Sequence, residues 1–166
     1  MASRKGPFVH KPPPKAGHVE VIGKPWAQYG ALPYRLSPRI EVLLITSRET
    51  GRWVIPKGWA MTSKTRREAA AQEALEEAGV SGKIAREPLG TYDYVKFLKS
   101  GQGLPCRVSV FSLEVTQEHE RWPEKAQRAT RWFSWPEAAA AVQEPGLASL
   151  IGAFGESLGR LEENTA

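Results

Sequence analysis

Three glutamates whose carboxylates could bind a metal or transfer protons lie close together within residues 58–80. Glu73 and Glu77 are four residues apart, and Glu76 follows Glu73 by three. In a helix this spacing places Glu73 and Glu77 on one face, with Glu76 at its edge. Such carboxylates repel one another unless a cation lies against them, and a hard divalent ion takes oxygen ligands together with substrate phosphates. The spacing alone is therefore compatible with a metal site or with a solvated acidic patch.

A helix should hold these glutamates, and a strand should lead into it. Residues 65–78 are strong helix formers without Gly, Pro or a β-branched run, and Gly79 supplies a C-terminal stop. Ser63 or Thr65 is suited to cap the start. The apolar residues 53–56 precede Gly58 and predict a strand, so a strand-loop-helix passage brings Gly58 next to the carboxylates.

This stretch resembles the signature box of the Nudix hydrolases. The positions that match the family pattern are Gly58, Glu73, Ala74, Glu76, Glu77, Gly79 and Val80. Two positions depart from it: Lys64 stands where the family has Glu, and Gln72 where it has Arg. In the family these two usually pair with each other, so losing both leaves neither charge without its partner. The departures affect the brace between loop and helix more than the metal site.

The resemblance implies a fold, a metal site and a reaction. It implies an α/β fold, a sandwich of helices around a mixed central sheet. It implies that the Gly58 carbonyl, Glu73 and Glu77 hold Mg²⁺, with Mn²⁺ as an alternative, and that Glu76 is the catalytic base. Three other glutamates from a later loop could take the base's place: Glu118, Glu120 and Glu124. The implied reaction is metal-dependent hydrolysis of a phosphoanhydride bond.

Within the family the sequence is most similar to the diphosphoinositol polyphosphate and diadenosine polyphosphate hydrolases. The similarity lies in Tyr34-Arg35, in Ser47-Arg48 with residues 52–56, and in residues 131–133. It implies a small-molecule polyphosphate as substrate, because arginine and lysine form charge-assisted hydrogen bonds with phosphate. The corresponding basic positions are Arg35, Arg48, Arg52, Lys57, Arg107 and Arg131. Since most surface Arg and Lys face solvent, we expect about half of them to reach the site.

Other functions of the same box remain open. The chain could act on the 5′ end of an RNA or on a nucleoside diphosphate sugar, or it could be a non-catalytic module that binds a polyphosphate. The net charge of +5 favours an anionic partner. A nucleic acid is not favoured, because no aromatic-rich platform for single strands stands out. Retention of all three glutamates favours an enzyme over a binding module.

Length and composition predict one domain. Residues 18–163 of the 166 should form it, and residues 1–17 are a basic, proline-rich stretch that we expect to be disordered. One cysteine, Cys106, excludes an internal disulfide and fits a cytoplasmic location. No apolar run approaches membrane-spanning length, so we expect no membrane partner. The sequence carries no signal for the oligomeric state.

The remaining elements are predicted from apolar patterns and turn residues. We expect strands at residues 28–36, 40–46, 83–96, 107–116 and 130–134, then helices at residues 136–142 and from about residue 147 to Leu161, with Pro145-Gly146 between them. Tyr92, Tyr94 and Phe97 alternate along one predicted strand and should belong to the core. The alternation of strands and helices independently favours a mixed sheet between helices.

Overall fold

Eight strands and three α-helices follow one another along residues 24–165, the part of the chain that this computed structural model describes. The strands are β1 (Trp26–Arg35), β2 (Glu41–Thr46), β3 (Trp53–Val54), β4 (Lys57–Trp59), β5 (Val80–Ile84), β6 (Gly90–Phe97), β7 (Gly103–Glu118) and β8 (Thr130–Ser134). The helices are α1 (Arg66–Glu73), α2 (Trp135–Ala141) and α3 (Pro145–Thr165). The predicted tail, residues 1–17, and the first residues of the predicted domain lie outside the described part.

The strands form one mixed sheet. Its main path runs β3-β2-β1-β7-β5, while β4 pairs with β1, β6 with β7 and β8 with β2. Strands β1 and β7 are parallel, with Trp26 opposite Cys106 and Tyr34 opposite Glu114. The other pairs are antiparallel. The predicted mixed sheet is confirmed.

Both faces of the sheet are covered by helices. Neighbouring residues of a strand point to opposite faces, and in β1 both Ala31 and Leu32 are fully buried. The core on the Leu32 side includes Val110 and residues of α2 and α3, among them Ala138, Leu147 and Ile151. The core on the Ala31 side includes Phe111 and residues from α1 onward, among them Ala70, Ala74 and Ala78. The architecture is the expected α/β/α sandwich.

The helix that carries the glutamates starts where the sequence predicts. Thr65 caps α1: its hydroxyl accepts from the Glu68 N–H, and the Glu68 carboxylate accepts from the Thr65 N–H, which forms a capping box. After Glu73 the chain continues as a π-helical turn (Ala74–Ala78) instead of the predicted α-helix. Gly79 then ends it with φ of 69°, a left-handed conformation that glycine adopts at little cost.

Three predictions of element bounds need correction. The predicted strand at residues 83–96 is two strands, β5 and β6, separated by a connection that contains Pro88, which cannot donate to a ladder. Strand β7 is longer at both ends than residues 107–116. Helix α3 begins at Pro145 instead of after Gly146, since proline suits a first helical turn, and it extends past Leu161. Within residues 24–165, no helix is long and apolar enough to cross a membrane.

Candidate active site

Strand β4 places Gly58 directly against the carboxylate of Glu73. Gly58 lies opposite Tyr29 in the antiparallel pairing of β4 with β1, and β4 in turn lies beside α1. A Cβ atom at Gly58 would overlap the Glu73 carboxylate. Glu73 is only 5% exposed. Glycine is therefore required here so that backbone and carboxylate can approach each other closely.

Glu77 lies beside Glu73 and is also buried. Its Oε1 accepts from Arg128 Nη2 at 3.2 Å, and its Oε2 accepts from the Lys57 N–H at 3.3 Å. Burial raises the pKa of Glu73, and the neighbouring charges of Glu77 and Glu76 raise it further. Burial also raises the pKa of Glu77, although Arg128 opposes that shift. Glu73 and Glu77 thus form a buried acidic pair that favours a proton or another cation.

Glu76 and Glu124 complete the carboxylate group, and they differ in their partners. Glu76 is half-buried, and its Oε1 accepts from Gln72 Nε2 at 3.2 Å. Glu124 Oε1 lies 3.3 Å from both Arg48 Nη1 and Arg128 Nη2. Its backbone N–H donates to the Glu76 carbonyl at 3.0 Å, which joins the late loop to the π-helical turn.

These four glutamates face a cavity of about 580 Å³. Its basic lining residues are Arg48, Arg52, Lys57, Lys96 and Arg128. Its acidic lining residues are Glu49, Glu73, Glu76, Glu77, Glu124 and Glu144. The six acidic residues outnumber the five basic ones, so the positive net charge of the chain is not concentrated at this cavity. An anionic ligand therefore needs a bound cation or closely directed basic groups.

Three of the six basic residues predicted to bind substrate line this cavity. Arg48 Nη1 donates to Gln127 Oε1 at 2.9 Å. Arg52 Nη1 donates to Gln143 Oε1 at 2.8 Å and to Glu144 Oε1 at 3.3 Å. Lys57 is half-buried, its Nζ lies 5.0 Å from the centre of the Tyr94 ring, and burial of the amino group lowers its pKa. These side chains and the carboxylates come from separate parts of the chain and meet in one space.

The structure does not bring Arg35, Arg107 and Arg131 to this cavity. Arg35 pairs with Glu41 at 2.8 Å and stacks on Trp132, its Cζ 4.2 Å from the ring centre. Arg131 stacks on Phe133 and borders a separate cavity of about 200 Å³.

For Arg107 the reason is strand register. Arg107 lies opposite Asp93 in the pairing of β6 with β7, and its guanidinium donates to both Asp93 carboxylate oxygens, at 2.8 and 3.0 Å. Neither Asp93 nor Arg107 lines the cavity. Arg107 and Asp93 form an exposed salt bridge with each other outside the cavity.

Two of the alternative bases also lie elsewhere. Glu118 accepts from Trp132 Nε1 at 2.9 Å and borders the smaller cavity. The Glu120 carbonyl accepts from Lys125 Nζ, and neither cavity is lined by this residue. Of the three alternatives, only Glu124 lines the cavity that Glu73 and Glu77 face.

Sequence reasoning missed several polar residues of the cavity, among them Arg128, Glu144 and Gln28. The contacts of Arg128 with Glu77 and of Glu144 with Arg52 join residues 51 and 92 positions apart, so local sequence did not reveal them. Gln28 did carry a local signal: it is a polar residue in an apolar strand, is 2% exposed and accepts from the Tyr94 hydroxyl at 2.6 Å. Phe97 was predicted to lie in the core but is 63% exposed and lines the cavity.

The donor set suits a hard divalent cation. Every candidate ligand, the Gly58 carbonyl included, is an oxygen, and the pKa of Glu73 is raised by burial and by other carboxylates. As the side chains lie in residues 24–165, no three acidic, His or Cys groups converge on one metal position. Glu77 is turned toward Arg128 instead. Binding of a cation thus requires some rearrangement of Glu77 and Arg128.

The sequence over residues 28–153 matches the family model described as NUDIX domain. The chain belongs to the Nudix family. Nudix hydrolase 13, mitochondrial, of Arabidopsis thaliana is 32% identical over 143 residues, which are 75% of this chain and 71% of that protein. Nudix hydrolases generally use divalent metal ions, in agreement with the oxygen donors described above.

Other Nudix proteins named for their substrates are also similar. Diphosphoinositol polyphosphate phosphohydrolase 3-alpha of Mus musculus is 34% identical over 113 residues, 66% of this chain and 65% of that protein. The crystal structure of a C. elegans Ap4A hydrolase covers 81% of this chain and 99% of its own, with a TM-score of 0.59 and 20% identity. At that identity the structural likeness shows the Nudix fold alone.

Proposed function

We propose that this Nudix hydrolase cleaves phosphoanhydride bonds in polyphosphorylated small molecules, either diadenosine polyphosphates or diphosphoinositol polyphosphates. The main support is the meeting of a buried carboxylate pair, Glu73 and Glu77, with Arg48, Arg52 and Lys57 in one cavity. Carboxylates that need a cation and basic groups that need an anion are what a metal-bound polyphosphate supplies. The names of the two relatives above support the choice of substrates.

The roles of the residues follow from their surroundings. In our proposal the Gly58 carbonyl, Glu73 and Glu77 would hold Mg²⁺ or Mn²⁺, which lowers the pKa of water and offsets phosphate charge. Arg48 and Arg52, both partly exposed in the cavity, bind the phosphate chain through charge-assisted hydrogen bonds. Lys57 also lines the cavity and, when protonated, adds positive potential there.

Glu76 is the stronger candidate for the base. Its side chain accepts a hydrogen bond from a neutral amide, that of Gln72. Glu124 Oε1 instead lies 3.3 Å from two guanidinium groups, so this carboxylate is already engaged in ion pairs. In the proposed reaction Glu76 takes the proton of the attacking water, and the basic residues hold the leaving phosphate in line with it.

A metal titration with substrate turnover tests the proposal. Purified protein with Mg²⁺ should release phosphate-containing products from diadenosine polyphosphate or diphosphoinositol polyphosphate, and chelation should stop it. Glu77→Gln should reduce kcat by about 100-fold or more, since it removes a charged donor of the site. Glu156→Gln is the matched control, because Glu156 is exposed on α3. Tight binding of these ligands without turnover would contradict the proposal and indicate a binding module.

A further inference from the structure

Glu144 enters the cavity from the connection between α2 and α3 and has an unused acceptor atom. Its side chain is only 10% exposed. Oε1 accepts from Arg52 Nη1 at 3.3 Å, whereas Oε2 is buried without a hydrogen-bond partner in the described structure. A buried carboxylate oxygen without a donor destabilises the fold, so its position at a cavity wall points to a donor supplied by a ligand.

That donor cannot be an ionised phosphate group. Phosphate oxygens accept hydrogen bonds, and their negative charge is repelled by a carboxylate. Hydroxyl and amino groups, by contrast, donate to carboxylate oxygens. The ligand part that lies against Glu144 should therefore carry O–H or N–H groups and no negative charge.

The basic groups of the cavity are already partly neutralised. Glu144 lies against Arg52, and Glu124 lies 3.3 Å from both Arg48 and Arg128. A ring phosphorylated at every position would bring anionic groups against these carboxylates on several sides. In a linear phosphate chain with an uncharged group at its end, the phosphates would contact the basic residues and the end group would contact Glu144.

The mouth of the cavity offers apolar surface to such an end group. Phe97 is 63% exposed and Val95 is 50% exposed, and both line the cavity together with Trp59. Lys96 Nζ lies 5.7 Å from the centre of the Trp59 ring. Exposed aromatic rings stack on nucleobases, whereas a phosphorylated inositol has no planar face to stack.

We infer that Glu144 determines specificity: it selects a nucleoside polyphosphate, whose ribose hydroxyls or base amino group donate to Oε2, over a fully phosphorylated inositol. This inference rests on the proposed function for the hydrolysis itself. It chooses between the two substrate classes and assigns the choice to a residue outside the signature stretch.

The experiment compares kcat/KM for diadenosine tetraphosphate and for a diphosphoinositol pentakisphosphate. The unaltered protein should prefer the dinucleotide by roughly tenfold or more, the ratio expected for a charged hydrogen bond. Glu144→Lys should lower kcat/KM for the dinucleotide and raise it for the inositol substrate, each by roughly tenfold. Glu49→Lys, which makes the same change of charge at an exposed lining residue, should change both substrates in the same direction.

Substrate analogues identify the donor without a variant that could fail to fold. If the ribose donates, the 2′,3′-dideoxy dinucleotide loses affinity with the unaltered protein; if the base donates, the inosine dinucleotide does. The inference is overturned if neither analogue binds more weakly, if the inositol substrate is preferred, or if Glu144→Lys changes both substrates equally. Selective binding of the dinucleotide without hydrolysis would contradict the proposed activity and leave the specificity assignment standing.

Discussion

The Glu73 carboxylate packs against Gly58 so closely that no side chain fits between them. The contact joins β4 to the end of α1, and it fixes the glutamate against the backbone of Gly58. A glycine in the family pattern thus has a steric reason in this structure, apart from any role in metal binding.

Gly58→Ala should therefore affect the site more than the fold. The added methyl group displaces the Glu73 carboxylate, so kcat should fall about 10- to 100-fold, while overpacking costs roughly 1–3 kcal/mol of stability. Chemical denaturation and turnover measurements check both. Gly152→Ala is the control, because a Cβ atom there meets nothing within 4 Å and helix propensity improves. Equal kcat in the two variants would contradict the steric argument.

The metal-free protein should lose stability as pH rises. The pKa of Glu73 is raised in the fold above its ordinary value of 4.5, and that of Glu77 is raised as well. Above pH 4.5 the folded state therefore holds protons that the unfolded state has released, so the free energy of unfolding falls as pH rises through the folded pKa values. A divalent cation should remove this loss.

Thermal melts with chelator or with Mg²⁺ measure that effect. The increase in Tm that Mg²⁺ produces should be larger at about pH 8 than at about pH 5. Glu73→Gln should flatten the pH dependence of the chelated protein and abolish most of the Mg²⁺ effect. Glu156→Gln should leave both unchanged, since Glu156 is exposed. A metal effect that is the same at both pH values would refute the argument.

Removing Arg128 should destabilise the metal-free protein. Its guanidinium, 8% exposed as a side chain, faces Glu77 and Glu124 and donates to the Thr46 carbonyl at 3.0 Å. Arg128→Gln leaves buried Glu77 without its ion-pair partner and Glu124 with Arg48 alone, which should cost roughly 3 kcal/mol. Urea denaturation measures this loss, and added Mg²⁺ should recover part of it. Arg131→Gln, an exposed control, should change stability by less than about 0.5 kcal/mol.

What the sequence predicts well is local. The Thr65 cap, the Gly79 stop and most strands depend on residues that are neighbours along the chain, so their types and spacing reveal them. Pro88 was such a local signal as well, and reading it would have separated β5 from β6. Helix propensity and capping rules do not predict the π-helical turn after Glu73, since its residues also favour an ordinary α-helix.

What the sequence does not predict is which distant residues meet. Arg128 and Glu144 look like ordinary surface charges, and only the folded chain places them beside Glu77 and Arg52. Similarly, Arg107 and Arg48 cannot be told apart by type. Strand register turns Arg107 to Asp93 and a loop brings Arg48 to the cavity.

The two arginines at the cavity should distinguish long from short phosphate chains. Arg48→Ala and Arg52→Ala should each raise KM for long polyphosphate substrates by about tenfold, and for short ones less, because an extended anion loses a contact that a short one never made. Steady-state kinetics with substrates of increasing chain length test this. Arg107→Ala should leave KM unchanged at every length, since Arg107 pairs with Asp93 outside the cavity. Effects independent of length would argue against a role in recognition.

Gln72 donates a hydrogen bond to Glu76. Because of this contact, the effect of changing Gln72 to the arginine of the Nudix pattern should depend on whether Lys64 is changed as well. With Gln72→Arg alone, the new guanidinium should pair with Glu76, stabilise its ionised form and lower kcat by about tenfold. With Lys64→Glu added, the arginine gains the partner that the family pattern gives it, so kcat should recover and stability should rise by about 1 kcal/mol. Kinetics and denaturation of both single variants and the pair measure the coupling. If either single variant equals the double variant in kcat and stability, positions 64 and 72 are not coupled, and the argument that the two residues were lost as a pair is wrong.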